Sequence, residues 1–362
     1  MADFLDELCA RVEKAARNQT KLRPVGGGTK NFYGGPLEGE EVDLRPWQGI
    51  VEYEPTELVM TVKAGTPLKV VEAALAAEKQ ELAFEPPRLG GANAQHSTIG
   101  GVIASGLAGP ARLAKGGVKD YVLGCTLLDG KAQLLHFGGV VMKNVAGYDV
   151  SRVIPSSMGT LGIAVDLSIK VMPVAPAETT LVFELAVNEA IRQSNAWLSK
   201  PLPINATFWE NGQLTVRLRG ASAAIQTAIK TMGGQELQQA QAQAFWRSVR
   251  DQQHAFFTQS GDLWRLALPS TTADLALQGQ CVHEWGSGLR WFRPNHGVQA
   301  EEIRASVGRA KGHATLYKTD NLDARRQAFH MPDAVMTKLQ RNLKAQFDPA
   351  GIFSINRLSP IL

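Results

Sequence analysis

PVGGGTKNFYGG, residues 24–35, is the segment from which the fold can be inferred, because a short strand over 22–25 runs directly into three glycines. Glycine adopts backbone conformations that other residues avoid, so Gly26, Gly27 and Gly28 allow a tight turn. Successive N–H groups in such a turn can face one anion, and a pyrophosphate fits that nest. An ordinary turn explains these residues equally well, so the loop needs support from the rest of the chain.

The glycine loop departs from the two common nucleotide-binding motifs. A dinucleotide fingerprint that begins with Gly26 and Gly28 needs a third glycine at the position of Asn31. A P-loop ends in Gly-Lys-Ser/Thr, whereas the order here is Gly28, Thr29, Lys30. The sequence therefore indicates an anion-binding loop of another kind.

Three further segments rich in glycine and small residues follow the loop. Residues 84–110 contain TIGG at 98–101, where a hydroxyl and backbone N–H donors stand at a helix start. The small residues after them would let a ring or phosphate approach the backbone closely. Residues 141–150 place a lysine and an asparagine in an apolar run, which calls for a partner unless these side chains are exposed. Residues 156–163 predict a turn that enters a strand.

The composition limits the class of protein. The chain has 362 residues, enough for two ordinary domains, with 44% hydrophobic and 20% charged residues, which predicts packed cores. The net charge of +4 comes without a long basic run, so we expect no nucleic-acid partner. The three cysteines form no CxxC pair, and the histidines form no His-x-His pair, so we expect no metal site.

The sequence also predicts where the chain resides. Its first residues, MADFLDELCARVEKAARNQ, carry early acids and no apolar core, so we expect no signal peptide. No stretch approaches the roughly 18 apolar residues of a membrane-spanning helix. A low, odd cysteine count fits a reducing compartment. We expect a cytoplasmic protein that associates at most peripherally with the inner face of a membrane.

Hydrophobic periodicity predicts an α+β chain with a boundary in the proline-rich stretch 173–178. The predicted helices cover 3–17, 66–79, 188–199, 221–232, 235–252, 300–310 and 332–347. The predicted strands cover 22–25, 50–54, 58–64, 121–128, 132–137, 162–172, 180–187, 207–209, 214–218, 263–268, 288–292 and 314–317. The β-α-β-β-α order that begins at 180 resembles a ferredoxin-like half.

Taken together, the four glycine-rich segments resemble the FAD-binding domain of the vanillyl-alcohol-oxidase / p-cresol-methylhydroxylase (PCMH) superfamily. MKNVAGYDVSR (142–152) and FDPAGIF (347–353) resemble, more closely, the FAD-binding subunits of bacterial glycolate oxidase. The resemblance implies a two-subdomain PCMH-type FAD-binding domain over residues 1–175. It also implies an α+β, ferredoxin-like cap domain over 176–362, with a C-terminal tail that returns towards the flavin.

The resemblance assigns cofactor-binding roles but no catalytic residue. The residues implied to hold the pyrophosphate are Gly26, Gly27, Gly28, Thr29, Lys30 and Asn31. Those implied to line the flavin and ribityl path are Pro86, Pro87, Ser97, Thr98, Gly100, Gly101, Ser105 and Gly106. Lys143, Asn144, Gly147 and Tyr148 are implied near the isoalloxazine, and Gly159, Thr160, Gly162 and Ile163 near the adenine.

The chain also departs from its relatives. Related 2-hydroxy-acid dehydrogenases carry a His-x-His type metal cluster in the cap, which is absent from this sequence. Many relatives end in Asn-Pro-Gly-Lys/Arg, of which only Asn356 and Arg357 remain. The glycine loop has no histidine or cysteine, so we expect non-covalent FAD. A cap arginine could clamp a substrate carboxylate, and Arg219, Arg290 and Arg293 are candidates unless they form surface ion pairs.

Two functions are implied by the resemblance. In the first, the chain is the FAD-binding subunit of a glycolate (2-hydroxy acid) oxidase or dehydrogenase complex. Its flavin then passes electrons to an iron–sulfur subunit, beside a second FAD-linked oxidase subunit. In the alternative, the chain is a non-catalytic flavin-bearing or scaffold subunit whose partner flavoprotein oxidises the substrate. An independent oxidase or reductase with another substrate, and a nucleotide-binding regulator, are further hypotheses.

Overall fold

The computed structural model describes residues 2–140 and 149–359. Its helices are α1 (Ala2–Asn18), α2 (Leu68–Ala77), α3 (Ile99–Ser105), α4 (Arg112–Lys115), α5 (Val187–Leu198), α6 (Ser222–Met232), α7 (Gln239–Arg250), α8 (Ala255–Thr258), α9 (Ala300–Arg309) and α10 (Ala334–Phe347). Its strands are β1 (Leu22–Val25), β2 (Glu40–Asp43), β3 (Ile50–Glu54), β4 (Val59–Lys63), β5 (Gln80–Glu81), β6 (Val122–Leu128), β7 (Leu134–Gly138), β8 (Ile163–Lys170), β9 (Met172–Pro173), β10 (Ala177–Glu184), β11 (Ile204–Glu210), β12 (Gln213–Gly220), β13 (Gln235–Glu236), β14 (Leu263–Ala267), β15 (Gly279–Glu284), β16 (Leu289–Pro294) and β17 (His313–Lys318).

The chain folds into two units. Unit 1 consists of Met1–Leu107, Gly117–Pro173 and Leu322–Leu362, and unit 2 of Ala108–Gly116 and Val174–Asn321. Unit 1 is therefore discontinuous, since most of unit 2 lies between its second and third segments in the sequence.

Unit 1 places the glycine loop at the end of a short parallel strand pair. Strand β1 pairs with β2 and ends at Val25, where the loop begins. A separate five-stranded antiparallel sheet has the order β3-β4-β8-β6-β7. Helix α1 buries Leu8 and Val12 in the same core as Leu22 and Phe353. Each fully buried side chain of this size stabilises the fold by about 1.5–3 kcal/mol, so burial of one face fixes α1 beside β1.

The tail motif FDPAGIF is organised by one buried ion pair. The Nζ atom of Lys344 lies 2.7 Å from Asp348 Oδ2, and it donates to the carbonyl oxygens of Thr160 at 2.5 Å and Phe353 at 2.9 Å. The Asp348 carboxylate also accepts the backbone N–H groups of Ile352 at 3.0 Å and Phe353 at 2.8 Å. These bonds turn the chain after α10, so that the tail runs parallel to β1.

Unit 2 is built on an eight-stranded antiparallel sheet with the order β13-β10-β12-β11-β15-β16-β14-β17. Helices α5 and α6 contribute Trp197 and Ile225 to a core that also contains Leu181 and Val216 from the strands. The order β10-α5-β11-β12-α6 is the predicted β-α-β-β-α half, and the predicted mixture of helices and sheets is confirmed.

The structure adds four strands that periodicity missed: β2, β15 and the two-residue strands β5 and β13, the last at the start of the predicted helix 235–252. Strand β2, EEVD, is largely polar and exposed, and β15, GQCVHE, buries only its last three residues. Neither β2 nor β15 therefore shows the alternation on which the prediction depends.

The predicted boundary between residues 175 and 176 assigns two segments to a different unit from the one in which the structure places them. Residues Ala108–Gly116 belong to unit 2, where Trp285 Nε1 donates to the Gly109 carbonyl at 3.1 Å and the Arg112 guanidinium stacks on the Trp285 ring. Residues from Leu322 onward belong to unit 1, because the tail pairs with β1. Hydrogen bonds between residues far apart in the chain decide both assignments, and composition does not reveal them.

Candidate cofactor site

The glycine loop is pressed against the chain segment that leads into α3. A Cβ atom at Gly27 would lie 1.6 Å from the carbonyl oxygen of His96, and one at Gly26 would lie 2.2 Å from Thr98 Oγ1. Only glycine fits at either position, because real Cβ contacts are almost never shorter than 3.0 Å. The loop therefore needs glycine for this close approach, and Gly28 needs it for its left-handed backbone, with φ of 68°.

The loop offers a run of unused backbone donors. Within residues 2–140 and 149–359, the N–H groups of Gly26, Gly27, Gly28, Thr29 and Lys30 donate no hydrogen bond, whereas that of Asn31 donates to the Gly28 carbonyl. Buried or partly buried amides normally find an acceptor. Five successive free amides beside glycine form a nest that suits an anion such as a pyrophosphate.

Lys30 adds a positive charge to this nest. Its Nζ atom lies 3.0 Å from Ser97 Oγ and 3.3 Å from Thr29 Oγ1, and no carboxylate in the described residues pairs with it. Burial lowers the pKa of Lys30 to about 8, because the ammonium loses water and gains no counter-charge. An anion bound at the loop would supply that counter-charge.

Two arginines from the third segment of unit 1 hold the continuation of the loop. Arg325 donates to the carbonyl oxygens of Asn31 at 2.6 Å, Gly34 at 3.2 Å and Gly35 at 3.2 Å. Arg357 is buried and donates to the carbonyl oxygens of Tyr33 and Gly35. The loop is thus fixed by side chains that lie about 300 residues further along the chain.

These residues surround a cleft in unit 1 of about 620 Å³, part of which is open to solvent. Its lining residues are Arg23, Pro24, Val25, Gly26, Gly27, Gly28, Thr29, Lys30, Asn31, Leu37, Thr98, Gly101, Ala104, Ser105, Met158, Ser354 and Arg357. A second, more apolar cleft of about 540 Å³ shares Gly26, Thr98, Gly101 and Met158 with it. This second cleft is also lined by Gly100, Gly159 and Gly162.

The structure thus brings together most of the residues assigned from the resemblance. The pyrophosphate group and Thr98, Gly100, Gly101, Ser105, Gly159 and Gly162 line the two clefts, and Ser97 accepts the hydrogen bond from Lys30. Gly106 packs against Ser156, where a Cβ atom would meet Oγ at 1.8 Å. Lys143, Asn144, Gly147 and Tyr148 lie outside the described residues.

Four assigned residues are buried outside the described lining of these clefts. Pro86 and Pro87 are buried beside the core residue Phe84. Thr160 is buried and donates to the Ser157 carbonyl at 2.7 Å, and Ile163 is fully buried in the core at the start of β8. None of these four residues lines either described cleft.

The donors at the start of α3 differ from the expectation. The Ile99 N–H donates to the Thr66 carbonyl at 2.9 Å, the Gly100 N–H to Ala64 at 2.8 Å, and the Gly101 N–H to Thr98 Oγ1 at 3.3 Å. These groups are therefore already used to fix α3 against β4 and the start of α2. The free donors belong to the glycine loop instead.

Sequence reasoning missed Arg23, Met158, Ser354 and Arg325 as contributors to the site. Arg23 lies in the strand before the glycine loop and Met158 within the segment 156–163, but the motifs assigned roles only to their neighbours, and Arg325 lies in an irregular segment. A signal did exist for Arg357, since the Asn356-Arg357 pair resembles the end of the relatives' C-terminal motif.

The proposed cap arginines are structural. Arg290 is buried and donates to the carbonyl oxygens of Ala273, Thr272 and Ser287. Arg293 donates to four carbonyl oxygens between Phe256 and Gly261, and Arg219 pairs with Glu178 at 3.0 Å. Backbone carbonyls occupy the donors of the first two, so neither can clamp a carboxylate without breaking the loops they hold. In the described ranges, no group of three metal-ligating side chains comes together.

Comparison with known proteins identifies the family. A family model described as FAD binding domain matches residues 3–138. The chain is 38% identical over 356 residues to the glycolate oxidase subunit GlcE of Escherichia coli (strain K12), a match that covers 98% of this chain and 97% of that protein. The chain belongs to the GlcE family of FAD-binding proteins.

Two further comparisons give weaker similarity. The glycolate oxidase subunit GlcD of Bacillus subtilis (strain 168) is 29% identical over 232 residues, which cover 63% of this chain and 48% of GlcD. The solved structure of an alkyldihydroxyacetonephosphate synthase superposes with a TM-score of 0.65 at 13% identity, over 96% of this chain and 73% of that one, which shows a shared fold. No helix in the described residues is long and apolar enough to cross a membrane.

The residues fit the cofactor of this family. The free amides of the glycine loop and the unpaired Lys30 ammonium are the donors that a pyrophosphate needs. The second cleft is apolar and is lined by glycines and Ala104, so planar groups can approach its walls closely. FAD combines a pyrophosphate with planar groups, as the two adjoining clefts require.

Proposed function

We propose that this chain is the FAD-binding subunit of a glycolate oxidase complex, in which electrons from a small 2-hydroxy acid pass through FAD to an iron–sulfur partner. The observation that carries the proposal is the 38% identity to GlcE over 98% of this chain and 97% of that protein. A match of that length includes both units, and a shared cofactor domain alone would not produce it.

The cofactor's role and that of the chain can be separated. Bound FAD would supply the redox chemistry, since its isoalloxazine accepts two electrons from a hydroxy acid and releases them singly or in pairs. The chain's own residues would bind and orient it: the amides of Gly26–Lys30 would donate hydrogen bonds to the pyrophosphate, and the Lys30 ammonium would supply a counter-charge. Non-covalent attachment is part of the proposal, and it is supported by Cys125, which lies buried on β6 with a pKa raised to about 12 by burial.

The alternative is that the chain carries flavin while a partner flavoprotein oxidises the substrate. One observation favours it: Arg290 and Arg293 of unit 2, which could have bound a substrate carboxylate, are engaged by backbone carbonyls. On this alternative the site of unit 1 relays electrons or stabilises the complex, and the hydroxy acid never reaches this chain.

An anaerobic absorption spectrum separates the two functions. The purified chain is scanned before and after addition of glycolate, first alone and then with its partner subunits. Flavin bands that bleach in the chain alone make it catalytic, and bands that bleach only with the partners support the relay. The absence of flavin after FAD is added back would refute both.

The partners are proposed from the same resemblance. We expect a second FAD-linked subunit and an iron–sulfur subunit to copurify with this chain from an extract in which all three are expressed. We expect the complex to associate at most peripherally with the inner face of the membrane. A salt or carbonate wash that leaves the chain in the membrane fraction would contradict that placement.

A further inference from the structure

We propose that Arg325 and Arg357 make the C-terminal segment, residues 322–359, a functional part of the dinucleotide site: they hold the glycine loop in shape and supply positive charge to a diphosphate. This inference rests on the proposed FAD function. It extends that function because both arginines lie outside residues 1–175, the predicted FAD-binding domain. Both are positioning residues, since their contacts in the structure are to the loop.

The contacts show that this segment restrains the path of the loop. Arg325 binds three successive parts of the loop, at Asn31, Gly34 and Gly35, through two of its nitrogen atoms. Hydrogen bonds from a charged donor are stronger than those between neutral groups, so this set restrains the loop at three places.

Arg357 extends the clamp from the opposite direction. Its guanidinium donates to the Tyr33 and Gly35 carbonyls, and its own carbonyl accepts the Gly35 N–H at 2.9 Å. A Cβ atom at Gly35 would lie 1.9 Å from the Asn356 carbonyl oxygen, so the two segments are in direct backbone contact. Unlike Arg325, Arg357 also lines the cleft.

The charges around the loop are unbalanced in the described structure. Burial together with the positive charges of Arg325 and Arg23 lowers the pKa of Arg357 to about 10. Arg23 has one carboxylate partner, Glu41 at 2.5 Å, whereas the acceptors of Arg325 and Arg357 are neutral carbonyls. These like charges repel one another, and a dianionic diphosphate in the cleft would relieve the repulsion.

The ligand class follows from this charge pattern. The segment should recognise the diphosphate of an adenine dinucleotide, and its contribution should grow with each phosphate. ADP, which carries the diphosphate without the flavin, is therefore the suitable probe, with adenosine as its uncharged counterpart and AMP between them.

The test is a calorimetric titration of the full-length apoprotein with adenosine, AMP and ADP, for wild type and for Arg357→Met, Arg357→Lys and Arg325→Met. We expect each methionine variant to weaken ADP binding by about tenfold or more, as loss of one charged contact predicts, with little change for adenosine. The lysine variant should recover part of the loss. Arg326→Met is the matched control, because it removes the same charge from an exposed neighbour whose partner is Glu38.

The titrations distinguish a role of the two arginines in diphosphate binding from a purely structural role. Equal weakening of ADP and adenosine would mean that the arginines are merely structural, and unchanged ADP binding in both methionine variants would refute the inference. If a methionine variant fails to fold, the inference is tested by ADP binding to the lysine variant and by the salt dependence of ADP affinity in wild type. A wild-type ADP affinity that does not change with salt would overturn the charge argument. Wild type that binds neither FAD nor ADP would overturn the proposed function itself.

Discussion

Replacement of Gly27 by alanine should abolish cofactor retention while leaving the fold intact. A Cβ atom there would lie 1.6 Å from the His96 carbonyl oxygen and 2.3 Å from its carbonyl carbon. Real Cβ contacts begin near 3.0 Å, so the loop or the 96–98 segment must move by at least 3.0 − 1.6 = 1.4 Å. Both elements are backbone, and neither can yield by rotating a side chain.

A shift of that size moves the loop amides out of hydrogen-bonding range of a pyrophosphate. Loss of two charge-assisted hydrogen bonds, at about 1.5 kcal/mol each or more, weakens binding by about 3 kcal/mol, or more than a hundredfold. The strain should also lower the free energy of unfolding by about 1–3 kcal/mol, the usual cost of overpacking. Gly308→Ala is the matched control, since a Cβ atom at Gly308 in α9 meets nothing within 4 Å.

The assay compares the ratio of flavin absorbance to protein absorbance in purified protein, followed by reconstitution of apoprotein with FAD. Circular dichroism and urea unfolding report whether the variant is folded. A folded Gly27→Ala protein that binds FAD as tightly as wild type would show that the cofactor does not depend on this loop.

Three further predictions follow from the same contacts. Affinity for ADP should fall as the pH rises through about 8, because Lys30 loses its proton there and the bound diphosphate favours the charged form; fluorescence or calorimetric titrations across this range check it, and Lys30→Met should flatten the profile. Asp348→Ala should destabilise the protein by about 3–5 kcal/mol in urea, since it leaves the Lys344 ammonium buried without its carboxylate; a second change, Lys344→Met, should restore part of the loss, and unchanged stability of the single variant would contradict the assignment. Arg290→Met should lower the melting temperature while FAD content stays normal, because Arg290 serves the loops of unit 2; loss of flavin in a folded Arg290→Met protein would count against that role.

Local patterns predicted a large part of the fold. The glycine loop, the helix at Ala2–Asn18 and the β-α-β-β-α order each reflect periodicity or glycine placement within a short stretch, and the structure has all of them. Strand β2 escaped because its EEVD sequence is mostly exposed and polar.

The candidate site was predictable only in part. The loop residues were found because the need for glycine is local. In contrast, the donors at the start of α3 looked free, and they are used by carbonyls of Thr66 and Ala64 that no sequence pattern links to them. Likewise, the sequence leaves Arg290 open as a candidate carboxylate ligand or an ion-pair partner, and its actual acceptors are the carbonyls of residues 272 and 273. Long-range partners decide whether a polar group is free, and one sequence does not show them.

The separation of Asn31 from Arg325 by 294 positions has a consequence for how the protein is made. A ribosome adds about 5–20 residues per second, so the arginine emerges about 15–60 s after the loop that it holds. During that interval the nascent chain completes the whole of unit 2, while the glycine loop still lacks the arginine that holds it. We therefore expect FAD to be inserted after translation ends. A chain released before Arg325 is made would then lack bound flavin. Flavin absorbance would therefore distinguish full-length protein from such a truncated product.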